Sequence, residues 1–385
     1  MTDILKPGQL PSIPLKTGED KEKFLDITRN KFNIMVKNAV PLMCWFDVTE
    51  KCNLKCKLCF AGATNKPLED ELPTKEVYSL LDNIAESGTR AIAFAGGEPT
   101  LREDLPDLIS YAVRKKNLFA AINTHGQLLA DREYVRELVR SGLHRVKVSV
   151  DGLKKSHDWN RGKGTFDKCI QALKNCAELG IPNRVFISTI TQMNLAEVPQ
   201  MIQLALKLKA GIFMIPIVPT GRGKAWKNLM LTKEQTRDWQ RYLFKQQKIY
   251  GVNQVQFENR YIISEDENAL RAAIDPKCIG TYMDTPVGCT AGIWQYMISA
   301  NGKVYAGDVI TPETEIGDLR KQRLSEFWHN SEVADRLRNR DNLKGKCGRC
   351  EYRFVCGGCR RQAYGTTGDF LETDPQCWYE PEDHI

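Results

Sequence analysis

No stretch of the 385-residue chain approaches the roughly 18 consecutive apolar residues that a bilayer crossing needs. The opening MTDILKPGQLPSIPLKTGEDKEKF has no continuous apolar core and is broken by proline, so it does not read as a secretory signal. A cytoplasmic location with no membrane partner is expected. Histidine is scarce, five in all, and none is near Cys52, Cys56 and Cys59, which speaks against a mixed Cys/His zinc site there. No aromatic-rich RNA-binding signature accompanies the basic segments, so nucleic acid is not expected as a partner. What remains is an ordinary globular composition, 42% hydrophobic and 27% charged, with length enough for one large α/β domain and a smaller appendage.

Cysteine, by contrast, is abundant. Thirteen thiols are out of place as disulfides in a reducing compartment, and their number is odd. Eight fall into two tight groups: Cys52, Cys56 and Cys59, then Cys347, Cys350, Cys356 and Cys359 with Cys377. Short-spaced, reduced cysteines read as metal ligands. Cys44, Cys169 and Cys176 fall inside apolar strand or helix patterns and read as core.

The order of elements points to a fold. Short apolar, β-rich runs at 43–49, 90–96, 118–124, 144–150, 184–190 and 212–218 alternate with helical patterns near 74–87, 104–115, 131–141, 165–179 and 197–209. Thr74, after Pro73, is the expected N-cap of the first of these helices. Six strands separated by helices imply a parallel sheet with right-handed crossovers, whose ligands bind at the carboxyl ends of the strands. Cys52, Gly96-Gly97-Glu98-Pro99, Asn123 and Ser149/Asp151 all follow or end such strands. After about residue 225 the pattern changes to a polar helix (232–249), an Asn301-Gly302 hairpin signal, a helix at 324–340 and the cysteine-rich tail. The expected organisation is a leader at 1–40, a core at 41–225, a linker or helical region at 226–275, and a cysteine-rich domain at 276–385.

Cys52-x3-Cys56-x2-Cys59 offers three thiolates from one loop. Three ligands on a [4Fe–4S] cube leave one iron open, whereas a closed electron-transfer cluster uses four. Zinc prefers a fourth ligand, and none is near in sequence.

VTEKCNLKCKLCF followed by AFAGGEPTLRED resembles the radical S-adenosylmethionine (SAM) superfamily over roughly residues 40–220. The resemblance implies a partial (β/α)6 TIM-like barrel, a SAM-binding [4Fe–4S] cluster on the triad, and reductive cleavage of SAM to a 5′-deoxyadenosyl radical. It implies that Gly96, Gly97, Glu98 and Pro99 receive the methionine amino group, and that Asn123, Ser149 and Asp151 approach the ribose and carboxylate, with Arg161 assisting. It further implies an electron donor of the reductase, ferredoxin or flavodoxin kind. Two positions depart from the family pattern. Leu58 replaces an aromatic before the third cysteine, and His125 stands in NTHG where a second Asn is usual. His125 reads as a loop residue rather than an acid–base group.

The tail, Cys347-x2-Cys350-x5-Cys356-x2-Cys359 and then Cys377, resembles the SPASM extension, an α+β iron–sulfur domain holding auxiliary [4Fe–4S] clusters. Taken alone, its paired CxxC units also read as a zinc knuckle. Carried over, one auxiliary cluster would use Cys347, Cys350, Cys356 and Cys377. A second would draw on Cys278, Cys289 and Cys359, but the expected hairpin cysteine is Gly307, followed by Asp308. That second cluster has an open iron, or takes Asp308 as an oxygen ligand, or is absent.

Between Arg320 and Arg361 twelve Lys/Arg face five acids. These charges read either as a surface for an anionic partner or as counterions to thiolate clusters and a solvated helix face. The tail most resembles haem-pathway enzymes, which implies oxidative side-chain modification or decarboxylation of a tetrapyrrole. The alternative is a peptide maturase forming thioether or carbon–carbon crosslinks. A non-catalytic iron–sulfur electron carrier would need neither GGEP nor an open-site triad.

Overall fold

The computed structural model describes residues 18–257, 288–307 and 310–381, so Cys278 and Asp308 lie outside the described residues. Its centre is a run of six parallel strands: β1 (Met43–Thr49), β2 (Ala91–Gly96), β3 (Phe119–Thr124), β4 (Arg145–Ser149), β5 (Asn183–Ile190) and β6 (Gly211–Pro216), each paired with the next. Alternate residues split two environments, as a pleated strand requires. Cys44, Phe46 and Val48 of β1, Ile92 and Phe94 of β2, and Val146 and Val148 of β4 join the outer core under the helices. Trp45, Asp47, Asn123, Ser149 and Phe213 line the concave side instead.

The helices cover the outer face because their apolar residues recur at helical spacing. In α2 (Thr74–Glu86), after α1 (Gly18–Lys37), these are Val77, Leu80, Leu81 and Ile84. In α3 (Leu105–Arg114) they are Leu105, Leu108, Ile109 and Ala112. After α4 (Arg132–Ser141) and α5 (Lys154–Arg161), α6 (Thr165–Glu178) repeats the spacing with Cys169, Ala172, Leu173 and Cys176, which explains two of the non-ligand cysteines. In α7 (Val198–Lys207) it is Val198, Met201, Ile202 and Ala205.

Two expectations need correcting. Thr74 is not a cap: Pro73 occupies that place, and the Thr74 hydroxyl serves Asp104 instead. The expected helix at 324–340 breaks into Leu324–Phe327 and Glu332–Arg338, the second restarted by the Ser331 side chain accepting from the Ala334 N–H. The polar run KKSHDWNR, to which the sequence pattern assigns no element, forms α5, with His157 and Asn160 on its buried side.

Beyond β6, α8 (Lys233–Tyr250) begins with a Thr232/Gln235 capping box and leads to β7 (Val255–Phe257), which pairs in parallel with β6. At the other edge, β8 (Gln295–Ile298) pairs in parallel with β1, Met43 opposite Gln295 through Phe46 opposite Ile298. The Asn301-Gly302 turn then returns the chain as β9 (Lys303–Tyr305), and β10 (Glu315–Asp318) is the edge of a sheet that has ten strands among the described residues. The cysteine-rich half is thus joined to the barrel through the same sheet. Helix α1 packs Phe32 edge-on against Phe354 of that half, 5.8 Å between centroids.

Candidate active site

The carboxyl ends of β1–β5 open into one cavity of about 310 Å³. Cys52, Cys56 and Cys59 line it together with Gly96, Gly97, Glu98, Asn123, Ser149 and Arg161. The loop carrying the triad is pinned from several sides. The Cys52 N–H donates to the Thr64 carbonyl at 2.6 Å, and the Leu58 N–H to Asn160 Oδ1 at 2.9 Å. Arg222 donates Nε to the Cys56 carbonyl at 2.8 Å and Nη1 to the Ala63 carbonyl at 2.6 Å. Neither Asn160 nor Arg222 was singled out from the sequence, although Asn160 adjoins Arg161. His125 holds the same loop: its Nδ1 accepts from the Gln127 N–H, leaving Nε2 to donate to Asn53 Oδ1 at 2.7 Å. Burial keeps this imidazole below its usual pKa, so it serves as a neutral strut, in agreement with its reading as a loop residue.

Gly96 and Gly97 are glycines for steric reasons. A Cβ at Gly96, where φ is +123°, would meet the Thr49 carbonyl oxygen at 2.1 Å, and one at Gly97 would meet the Glu50 and Lys51 oxygens at 2.4 Å. The backbone of β2 is thereby pressed against the triad loop and left bare toward the cavity. The Glu98 carboxylate, 1% exposed, turns inward. Oε1 accepts from the Thr100 N–H and from the hydroxyls of Thr100 and Thr124, and Oε2 accepts from the His125 N–H. Pro99 starts the short helical turn behind it and is buried.

Asp151 also works from behind the wall. Its carboxylate accepts from Asn160 Nδ2 at 2.7 Å, Arg161 Nε at 2.6 Å and the Thr189 N–H at 2.9 Å. Burial alone would raise its pKa, but Arg161 and these donors hold it below the usual carboxylate range. Arg161 in turn directs Nη1 toward Cys56 Sγ at 3.9 Å. Asn123 stays at the wall with Oδ1 buried and unpartnered.

Burial raises the Cys52 thiol to about 11 and lifts Cys56 as well, so iron must displace protons to bind there. The donor set fits a cluster and SAM: three thiols around one cavity, bare glycine backbone beside them, and an orphaned amide oxygen opposite.

In the tail, burial raises the thiols of Cys350, Cys356 and Cys377 to about 12, and Cys347 lies close enough to each of the three to add to the rise. Cys347 Sγ accepts from Arg360 Nη2 at 3.5 Å and the Asp374 N–H at 3.4 Å, and Cys356 Sγ accepts from the Gly358 N–H at 3.3 Å. Such donors suit thiolate sulfur in an iron–sulfur site. Cys289 and Cys359 share a smaller cavity with Gly307 and Arg361, and Cys289 and Gly307 also line the large one. Much of the basic segment is spent on structure. Arg338 and Arg340 are buried against backbone carbonyls, and Arg320 and Arg323 pair with Glu76 and Glu86.

The radical SAM superfamily model matches residues 46–205, and the SPASM iron–sulfur cluster-binding domain matches 289–351. The AdoMet-dependent heme synthase of Methanosarcina barkeri is 32% identical over 90% of this chain and 99% of its own length. The Fe-coproporphyrin III synthase of the same organism is 33% identical over 97% and 95%. The structure of native anSMEcpe with bound AdoMet superposes with a TM-score of 0.68 at 20% identity, over 88% of this chain and 94% of that one, a likeness of fold. The chain belongs to the radical SAM superfamily, an enzyme whose SAM-binding [4Fe–4S] core is followed by a SPASM iron–sulfur domain.

Proposed function

We propose that the enzyme oxidatively modifies the carboxylate side chains of an iron tetrapyrrole, in the manner of haem-pathway decarboxylation. The observation that carries the reading is the pair of relatives named for making haem and iron-coproporphyrin III, each matched over nearly its whole length. Cavity composition supports it. The wall is aromatic and aliphatic at Trp45, Phe213, Ile187 and Ile215, and Arg361 of the cysteine-rich half also lines it. A flat, apolar macrocycle with anionic arms matches such a lining.

Cys52, Cys56 and Cys59 would hold the catalytic cluster, and Gly96–Gly97 would receive the SAM ammonium through backbone carbonyls, since the Glu98 carboxylate is already committed. Asn123 and Ser149 would face the ribose, with Asp151 acting through Arg161 and Asn160. Bound there, cluster and SAM would supply a 5′-deoxyadenosyl radical able to take one hydrogen atom from the substrate, and the electron left when carbon dioxide departs would pass to an auxiliary cluster held by Cys347, Cys350, Cys356 and Cys377. The chain's own task is to hold one C–H bond against that position and to keep water out.

The test is anaerobic iron–sulfur reconstitution, then dithionite, SAM and iron-coproporphyrin III, with products followed by mass spectrometry. Loss of carbon dioxide and two hydrogens per modified propionate, matched to 5′-deoxyadenosine, is expected. Formation of 5′-deoxyadenosine with the porphyrin left unchanged would sink the tetrapyrrole reading while leaving the radical chemistry intact.

A further inference from the structure

Arg360, directly after Cys359, is 4% exposed. Its Nη1 donates to the Phe370 carbonyl at 3.0 Å and the Glu372 carbonyl at 2.8 Å, and its Nη2 to Cys347 Sγ at 3.5 Å. Among the described residues no ion pair neutralises it, whereas Lys344, Lys346 and Arg353 each meet a carboxylate. Asp374 is buried in the same region, but its Oδ1 accepts from the Gln376 N–H and its Oδ2 from the Cys359 N–H. A buried cation without a counter-charge is costly to keep. The one acidic group that this guanidinium touches is the Cys347 thiol.

The chain makes room for that contact. At Gly358 φ is +60°, and a Cβ there would meet Arg360 Nη2 at 2.4 Å and Cys347 Sγ at 3.0 Å. The second glycine of CGGC thus lets the guanidinium lie against the sulfur. The triad is arranged differently. Arg161 reaches Cys56 Sγ only at 3.9 Å, and Asp151 pairs with it at 2.6 Å. Arg222 is turned to the Cys56 and Ala63 carbonyls. An adjoining carboxylate cancels most of a cation's field at a sulfur, and where none adjoins the field stands. Net charge and hydrogen bonds at the sulfurs set the potential of an iron–sulfur cluster.

We propose that Arg360 is a positioning residue for electron transfer: it raises the reduction potential of the cluster on Cys347, Cys350, Cys356 and Cys377 above that of the triad's cluster, making the tail the electron acceptor. A guanidinium at Cys347 Sγ favours the reduced cluster, which carries one more negative charge. The electron comes from the substrate. Once a propionate has lost one hydrogen atom, its bond to the carboxylate carbon breaks, carbon dioxide leaves, a C=C bond forms and one electron is left over. That electron takes the cluster from 2+ to 1+, and no proton moves. Arg360 stands on the way, because it lines the smaller cavity, which shares Cys289, Gly307 and Arg361 with the large one. The source of the electron rests on the tetrapyrrole reading; the potential does not.

The test is a potentiometric titration of the full-length reconstituted enzyme without porphyrin, read by electron paramagnetic resonance. Wild type, Arg360→Gln and Arg360→Lys are compared, and Cys56→Ala identifies the auxiliary signal. The wild-type auxiliary midpoint should lie above the triad's. Arg360→Gln should shift the auxiliary reduction equilibrium about tenfold toward the oxidised form, a fall of about 59 mV, with iron content and the triad midpoint unchanged. Arg360→Lys should fall between. An auxiliary midpoint at or below the triad's in wild type, or one unmoved in Arg360→Gln, would overturn the proposal. If Arg360→Gln does not keep its iron, Arg360→Lys decides. A lowered midpoint at full iron then sustains the proposal, and a wild-type midpoint or lost iron overturns it. No substrate enters the titration, so its failure is distinct from that of the tetrapyrrole reading, which an unmodified porphyrin would show.

Discussion

Replacing Lys147 with methionine is expected to stabilise the protein, and by a margin that shrinks at high pH. The Lys147 amine lies inside the barrel on β4, 2% exposed, 4.8 Å from the Trp45 ring centroid and 5.6 Å from that of Phe213. No hydrogen-bond partner reaches its Nζ. Burial, reinforced by Arg145, pulls its pKa from 10.5 to about 7. At about 1.4 kcal/mol per pKa unit, that is on the order of 5 kcal/mol against the charged amine. Below about pH 7 the amine is protonated in folded and unfolded chains alike, and the full cost stands. From about pH 7 to 10.5 the unfolded chain keeps a proton that the folded chain has released, so stability climbs with pH. Asp47 acts in the opposite sense at lower pH. Burial, then Glu50, raises its carboxyl from 3.8 to about 8, so its contribution falls as pH rises through that window. The clear window for Lys147 therefore starts near pH 8 and ends near 10. Across those two units the advantage of Lys147→Met should shrink by about 3 kcal/mol. Anaerobic urea unfolding followed by near-ultraviolet circular dichroism at the two ends measures it. A methionine variant less stable than wild type, or one with a pH-independent advantage, would refute the unpartnered buried amine.

Cys56→Ala should lose about four irons per chain and all 5′-deoxyadenosine formation while the auxiliary iron stays, as read by iron analysis and product assay. Cys350→Ala should do the reverse, lowering iron by a cluster's worth but leaving dithionite-driven SAM cleavage in place; equal loss of both would mean the two sites fold as one. Glu98→Gln places an amide where Oε1 takes three donors and Oε2 one, so a donor must face a donor. A cost of about 2–4 kcal/mol in stability is expected, with weaker SAM binding by titration, and a neutral outcome would remove the inward carboxylate from the account.

Much of the barrel was readable because each of its signals is local. The MCWFDVT strand, the i, i+3, i+4, i+7 apolar spacing of α2, α3, α6 and α7, and the glycines at 96–97 each state their own environment. The triad and its companions likewise sit directly after strands, where a parallel sheet opens. What could not be read depends on distant partners. The β8–β1 pairing joins residues some 250 positions apart, and nothing in QYMI says which edge it will find. Helix α5 is too polar and short to announce itself, being held by Asn160 and Arg161 meeting Asp151. The same holds for side-chain direction. The resemblance placed Glu98 with the SAM amino group and Asp151 with its ribose and carboxylate, but only packing shows both carboxylates hydrogen-bonded behind the wall, holding the backbone and the arginine that face the cavity.

The second auxiliary site is where local pattern and packing bear on each other most directly. The resemblance expects a ligand thiol at position 307, and the chain has glycine. That glycine sits at φ +122°, and a Cβ there would meet the Ala291 Cβ at 2.8 Å. A cysteine at 307 would therefore strain both the backbone and its neighbour, so the absent thiol reflects a reshaped hairpin end and not a single exchanged side chain. The reshaping has a spatial consequence. Cys289, Ala291 and Gly307 line the large cavity and the smaller one behind it, and Cys359 closes the latter. Because β8 is registered against β1, this gap is held at a fixed offset from the triad rim. Gly307 thus sits on the lining that the two cavities share, where a thiol would add bulk. In the tetrapyrrole reading, Arg361 on that shared lining would be the cation offered to the macrocycle's anionic arms.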